Sequence, residues 1–264
     1  MSAMRDFAYE YRARKEYIRS VVDGSGATGI VYGNSGGKDS ALVGILCKSA
    51  CGDTVGIIMP CGASRNYTAD TADAMAVARQ YGIETRTVDL SAVRDAELEA
   101  LKGKCELNES VWKNIAPRLR MATLYAFAAA ENRLVAGTGN RSEAYMGYFT
   151  KWGDGAHDFN PIADLTVTEI YGFLRWLRAP KFLLEKAPSA GLFDGQTDEA
   201  EMGVTYAAID DYLLHGRAGE SLPCICSPPV SSATASSTFS ATAWPWMRRT
   251  SGRRCRMSPQ RASR

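Results

Sequence analysis

Histidine is almost missing from the 264-residue chain: His157 and His215 are its only two, and they share no ligand spacing. Neither a histidine-built metal centre nor a catalytic histidine is expected. Paired thiols are lacking too. The seven cysteines (Cys47, Cys51, Cys61, Cys105, Cys224, Cys226 and Cys255) are odd in number and form no matched C-x-x-C pairs. That argues against zinc and against a disulfide framework, and leaves reduced thiols in a cytoplasmic protein as the expectation. No apolar run approaches membrane-spanning length. The early charges Arg5, Glu10, Arg12, Arg14, Lys15 and Glu16 are not those of a signal peptide. Lysine is absent after residue 214: residues 215–264 carry eight arginines and one acid, Glu220, a charge of +7 that leaves −5 on the preceding body out of the total of +2. The body is therefore mildly acidic, which disfavours nucleic acid as its partner.

What is present is a repeating alternation. Residues 3–22 read as an amphipathic helix, 29–33 as an apolar strand, 40–50 as a helix, 54–59 as a second strand and 70–80 as a helix. A β-branched strand follows at 84–89, then a long helix at 108–131 in which Pro117 predicts a kink or break. Residues 134–137 form a fourth strand, and 166–177 and 198–214 read as further helices. Strands alternating with helices predict an α/β fold, a Rossmann-like parallel sheet with helices on both faces. Ligands in such sheets bind beyond the carboxyl ends of the strands. Residues 1–214 are read as one domain. The Ser/Pro/Arg-rich segment 215–264 is expected to be disordered. Three readings of it are open: a basic arm, solvated disorder, or a reading frame shifted near residue 215, which the abrupt change of composition within one expected helix favours.

The first motif follows the first strand: Gly33-Asn-Ser-Gly-Gly-Lys-Asp-Ser40. A Walker A loop needs four residues between its first glycine and Gly-Lys-[Ser/Thr]. Here Gly33 and Gly37 are separated by three, and Asp39 stands where a hydroxyl is required. Gly36 and Gly37 can adopt positive φ and let backbone N–H groups curl around an anion. Ser35 and Ser40 add hydroxyls, and the helix starting near Asp39 adds its positive end. An acid beside phosphate makes chemical sense if it holds Mg²⁺. The segment Ser35-Gly-Gly-Lys-Asp-Ser40 resembles the pyrophosphate loop of the ATP-pyrophosphatase superfamily, whose members cleave ATP between the α and β phosphates.

A second set of motifs is more specific: Gly137-Thr-Gly-Asn-Arg-Ser-Glu143, Met146-Gly-Tyr-Phe-Thr-Lys-Trp-Gly-Asp-Gly155, Asp158, Pro161-Ile162, Pro188-Ser-Ala190, Gln196-Thr-Asp-Glu199 and Ile209-Asp-Asp-Tyr-Leu213. Over residues 5–214 the chain is similar to the NAD synthetase family. That resemblance implies condensation of ammonia with deamido-NAD through an acyl-adenylate, giving NAD, AMP and pyrophosphate, with Mg²⁺ as cofactor and ATP as co-substrate. It implies ATP contacts from Gly33, Asn34, Ser35, Gly36, Gly37, Lys38, Asp39, Ser40, Thr138 and Thr197, and magnesium ligation by Asp39 and Glu143. Arg118, Tyr125, Lys151 and Asp158 match positions that hold deamido-NAD, and Asp154 matches an acid that takes the ammonium proton. Each has a plainer structural reading: surface charges for Arg118 and Lys151, core for Tyr125, a helix cap for Thr138, a first-turn acid for Glu143 and a glycine turn for 151–155. A homodimer is implied as well. With no Cys–His pair to suggest a glutaminase, the nitrogen source is expected to be free ammonia or ammonia from another subunit.

Two departures stand out. Where the family commonly has Leu-Thr-Lys, this chain has Leu165-Thr-Val167, so Lys38 or another base must compensate or pyrophosphate binding is weaker. The family's terminal His-Lys pair has no counterpart in the lysine-free tail. Alternative functions are another adenylating ATP pyrophosphatase, amidating or sulfur-transferring, and a non-catalytic nucleotide-binding protein with a basic tail. The unpaired cysteines disfavour sulfur transfer, and the presence of both Asp39 and Glu143 disfavours a non-catalytic role.

Overall fold

The computed structural model describes residues 5–186, 188–189, 191 and 195–216. All belong to the first of two units, Met1–Pro223; the second, Cys224–Arg264, lies outside the described residues, and with it nearly all of the segment read as a tail.

Asp6 starts the chain's first helix, α1 (Phe7–Ser25), by accepting from the Ala8 and Tyr9 amides, and Gly26 ends it in the left-handed region. Then come β1 (Gly29–Gly33), α2 (Lys38–Ala50), β2 (Thr54–Ile58), the short α3 (Ser64–Tyr67), α4 (Ala69–Tyr81), β3 (Glu84–Thr87) and α5 (Ser91–Leu101). The long α6 (Glu109–Glu131) leads into β4 (Arg133–Ala136), followed by α7 (Arg141–Met146), α8 (Val167–Trp176), α9 (Lys181–Glu185), α10 (Asp198–Met202) and α11 (Tyr206–His215).

The four strands are parallel in the order β3-β2-β1-β4. The chain therefore steps outward from β1 to β3 and returns to the other side of β1. This reversal of strand order creates a cleft between the loops leaving β1 and β4. Alternate residues of β1 serve opposite faces, as the pleat requires. Ile30 and Tyr32 join Ile18, Leu42 and Phe173 on the side of α1, α2 and α8. Val31 joins Val55, Ile57, Val135 and Ala116 on the other. The expected parallel sheet covered on both faces is what forms.

Tyr32 is wholly buried, and its ring fits because two neighbours lack side chains. A methyl on Gly44 would overlap the Tyr32 hydroxyl, and one on Gly56 would lie 3.0 Å from it. The hydroxyl has no hydrogen-bond partner among the described residues, and burial pushes its pKa up.

Three expectations change. Pro117 does not break its helix: α6 runs from Glu109 to Glu131 through it. The lost N–H bond is tolerated where the ring is buried and faces Gly153, at which a methyl would come within 2.9 Å of Pro117 Cβ. The single helix read at 198–214 is two, because Gly203 takes φ 69° and Thr205 then caps α11 by accepting from Ala208. Finally, α3, α5 and α9 arise where the sequence reading placed no element.

Candidate active site

The loop after β1 is built to expose backbone amides. Of the two glycines able to take positive φ, Gly36 does so (72°) while Gly37 is extended (φ −92°, ψ 170°). A methyl at Gly36 would overlap the Asp70 carbonyl oxygen, so glycine is required there for conformation and space alike. Buried Asn34 fastens the loop from below, donating to the Ala74 carbonyl at 3.3 Å and accepting from the Gly36 amide at 3.5 Å. The Ser35 and Ser40 hydroxyls lie 3.1 Å apart, with Ser35 Oγ accepting from Gly37 N and Ser40 Oγ donating to Gly37 O. Gly37 is the N-cap of α2 and supplies no side-chain acceptor, which leaves the helix's first amides to an anion.

Lys38 and Asp39 open α2. Lys38 is buried, its Nζ 2.8 Å from Asp39 Oδ2 and 5.4 Å from the centroid of the Tyr206 ring. Burial works against its charge, but Asp39 and Glu143 outweigh that and hold its pKa above the ordinary value.

The loop after β4 is closed by side chains. Asn140, not Thr138, caps α7: its Oδ1 accepts from Glu143 N at 2.9 Å while Glu143 Oε2 accepts from Asn140 N at 3.0 Å. The remaining amide hydrogen-bond donor of Asn140, Nδ2, reaches across the cleft to Asp39 Oδ1 at 3.1 Å. One side chain thus ties the two loops together and sets Asp39 beside Glu143. The pKa of Glu143 is raised well above normal, first by burial and then by the charge of Asp39, with Lys38 opposing. Two carboxylates whose charges work against each other, next to unbonded helix amides, suit a hard divalent cation completed by phosphate oxygens. Among the described residues no group of three or more Asp, Glu, His or Cys forms an all-protein metal cage. Thr138 lies between β4 and this cap, half-buried.

The residues matched to the dinucleotide fall along a seam between α6 and the segment 148–160. Tyr125 Oη donates to Asp158 Oδ1 at 3.2 Å, and Asp158 Oδ2 accepts from the Val135 amide at 2.8 Å. Burial, then Asp158, pushes the Tyr125 pKa up to about 12. Arg118 Nε donates to the Lys151 carbonyl at 3.3 Å, and Lys151 Nζ lies 5.5 Å from the Trp152 ring centroid. Asp154 accepts from Thr150 N at 2.9 Å; its position is open to solvent yet crowded by protein, and desolvation raises its pKa against the opposing Thr150 amide and Arg120 charge. Thr197 is the N-cap of α10 without a side-chain cap bond. Its neighbour Asp198 accepts from Tyr206 Oη at 3.1 Å, which links that corner to Lys38. The structure therefore gathers Lys38, Asp39, Asn140 and Glu143 into one cluster, and Tyr125 of α6 and Asp158 into a pair beside β4. No recorded contact joins Asp154 to the cluster.

Three participants escaped the sequence reading. Asn140 had a visible signal, the Asn-x-x-Glu spacing of a capping box. Lys186 had none: its Nζ meets Asp70 Oδ1 at 2.8 Å, Asp73 Oδ2 at 2.7 Å and the Gly36 carbonyl at 3.4 Å, all far away in sequence. Tyr206 carries the Lys38 ammonium on its ring and packs in one apolar cluster with Val167. Val167 stands where the family commonly has lysine, and among the described residues Lys38 and Lys186 are the bases at the loop.

Comparison with known proteins fits this geometry. The family described as NAD synthase matches residues 10–224. An NH(3)-dependent NAD(+) synthetase from Carboxydothermus hydrogenoformans is 46% identical over 209 residues, covering 78% of this chain and 85% of that protein. One from Archaeoglobus fulgidus is 43% identical over 208 residues, covering 78% and 82%. A solved structure described as NMN synthetase from Francisella tularensis superposes with a TM-score of 0.75 at 38% identity, covering 79% of this chain and 86% of that one.

Proposed function

The chain belongs to the NAD synthase family, and on that premise we propose that it amidates deamido-NAD with ammonia, using ATP and releasing NAD, AMP and pyrophosphate. The observation that carries the reading is the Asn140 bridge, which sets Asp39, Glu143 and Lys38 against the uncapped start of α2.

The chemical difficulty is charge. A carboxylate must attack the α-phosphorus of a polyanion, and pyrophosphate must leave. The α2 amides, the Ser35 and Ser40 hydroxyls and Lys38 receive phosphate oxygens, with Thr138 and Thr197 at the edges. Asp39 and Glu143 would hold Mg²⁺, which when bound neutralises charge on the phosphates. Tyr125, Asp158, Arg118 and Lys151 hold the dinucleotide. Ammonium must shed a proton before it attacks the acyl carbon, and a carboxylate whose pKa is raised, Asp154, suits that role. Residues 1–214 form the catalytic body, acting as a cytoplasmic homodimer; light scattering tests the dimer. Among the described residues no helix is long and apolar enough to cross a membrane.

The test is to mix the protein with ATP, Mg²⁺, ammonium and deamido-NAD and follow products. NAD and AMP in equal amounts are expected; ADP in place of AMP overturns the reading. The neighbour described as NMN synthetase supports a second acid for comparison, the mononucleotide, and the ratio of kcat/KM values decides between them.

A further inference from the structure

Arg120 stands on α6 two residues after Arg118, and its head turns to other partners. Nε donates to the Met59 carbonyl at 3.1 Å and Nη2 to Asn66 Oδ1 at 3.2 Å. Both acceptors are neutral, Nη1 makes no hydrogen bond among the described residues, and no carboxylate there lies within 4.0 Å of the guanidinium. Burial lowers its pKa, with Cys61, Asp154 and Asp70 opposing from a distance, yet a guanidinium stays charged. Arg120 is half-buried, and a cation in that setting whose protein partners are only dipoles keeps a free edge that an incoming anion would pair.

The location is informative. Met59 directly follows β2, at the carboxyl end of the sheet, and a methyl on Gly33 would lie 3.4 Å from Met59 Cε. Asn66 continues from Arg120 to Asp70 Oδ2 at 3.0 Å, and Asp70 in turn holds Lys186 beside the phosphate loop. The loop side of the cleft thus has its own cations, Lys38 and Lys186. Arg120 serves the β2 side, where Asp154 is the acid that feels its charge.

We propose that Arg120 receives the carboxylate of the acid substrate, the group to be adenylated, and holds it between the phosphate loop and Asp154. This rests on the amidation reading above. A planar carboxylate matches a guanidinium edge better than it matches an ammonium. Once the acid has become an amide the charge is gone, so the same residue that draws the substrate in lets the product go.

The experiment is calorimetric titration of wild type, R120Q and R120K with deamido-NAD and with NAD, alongside thermal midpoints and KM values for the acid and for ATP. R120Q is expected to weaken deamido-NAD by about tenfold or more while NAD changes by less than about twofold, since only the acid offers a charge-assisted bond. R120K, which keeps the charge, should recover part of the loss and also covers the case in which R120Q does not fold: its KM for the acid rises while that for ATP holds. Equal losses on acid and amide, or a loss confined to ATP, overturn the assignment. A wild type that turns over while R120Q keeps its preference for the acid defeats this inference alone. A wild type that binds neither dinucleotide and makes no AMP defeats the amidation reading and this inference with it.

Discussion

Two adjacent parallel strands, β1 and β4, each run into a helix, and the two turns treat the helix start in opposite ways. At β1 the N-cap is Gly37, no side chain caps α2, and the chain is spaced by glycines. At β4 the N-cap is Asn140 and a complete capping box closes α7. The first turn keeps its amides open at a thirteen-residue helix, where the dipole is developed; the second closes its amides and in doing so aims two polar side chains sideways. An open helix start and the acids that face it are made from the same local problem, solved once by omission and once by side chains.

The comparison can be broken most severely at Asp39. Asp39→Ala should cut AMP and pyrophosphate formation by about 10²–10³-fold, the scale of losing a main electrostatic stabiliser. Its thermal midpoint should fall, because the buried Lys38 ammonium loses its hydrogen-bonded carboxylate, so both proteins are assayed well below either midpoint. Near-normal pyrophosphate release from that variant contradicts the roles given to both turns.

Next comes Gly36. Gly36→Ala forces φ 72° on an L-residue and a methyl into the Asp70 carbonyl, so a stability loss of at least about 1–3 kcal/mol is expected in denaturant melts. Gly37→Ala, at an extended φ with Ser35 Oγ 3.3 Å from the new methyl, should cost far less. Equal losses at the two glycines would mean that the turn's geometry is not what fixes the loop.

Gly37→Asp sharpens the contrast by giving α2 the kind of cap α7 has. The helix should gain a few tenths of a kcal/mol. A carboxylate among the amides should repel phosphate and raise the KM for ATP by about tenfold, the scale of one charge pair at a protein surface. A stable variant with unchanged ATP affinity shows that the amides of α2 do not face the nucleotide.

The smallest effect belongs to the β4 turn and depends on pH. The His157 ring packs on Gly137, where a methyl would lie 2.5 Å from Cγ. Burial lowers its pKa despite the nearby Asp158. The unfolded chain therefore takes up the proton first as pH falls below about 6.5. Stability present above that value should decline until the depressed folded pKa is passed and then level off. Thermal midpoints of wild type and His157→Phe between pH 7.5 and 5 should diverge in that window; no divergence sinks the assignment.

How far the sequence alone reaches can be judged residue by residue. Alternating strands and helices, and a glycine loop straight after an apolar strand, announced the sheet and the turn from β1 into α2, because both depend on local pattern. The break between α10 and α11 was equally local, with Gly203 and Thr205 as stop and start signals that a long apolar periodicity outweighed. Pro117 misled for the opposite reason, since burial against the 150s segment overrides a local penalty. The two glycines of the loop could not be told apart by type; only the carbonyl of Asp70, from another helix, decides which must be left-handed. Lys186 and Arg120 carried no signal, because each owes its place to partners 54 to 150 residues away.

Tyr32 stands immediately before Gly33, where the turn into α2 begins, and its ring rests in hollows left by two absent side chains. The height of that loop above the sheet is thus gauged from beneath by one phenol. A single added carbon at position 44, in the middle of a buried helix, would overlap that phenol and push on the turn above it, so that a disturbance of the β1–α2 turn could begin in the driest part of the protein.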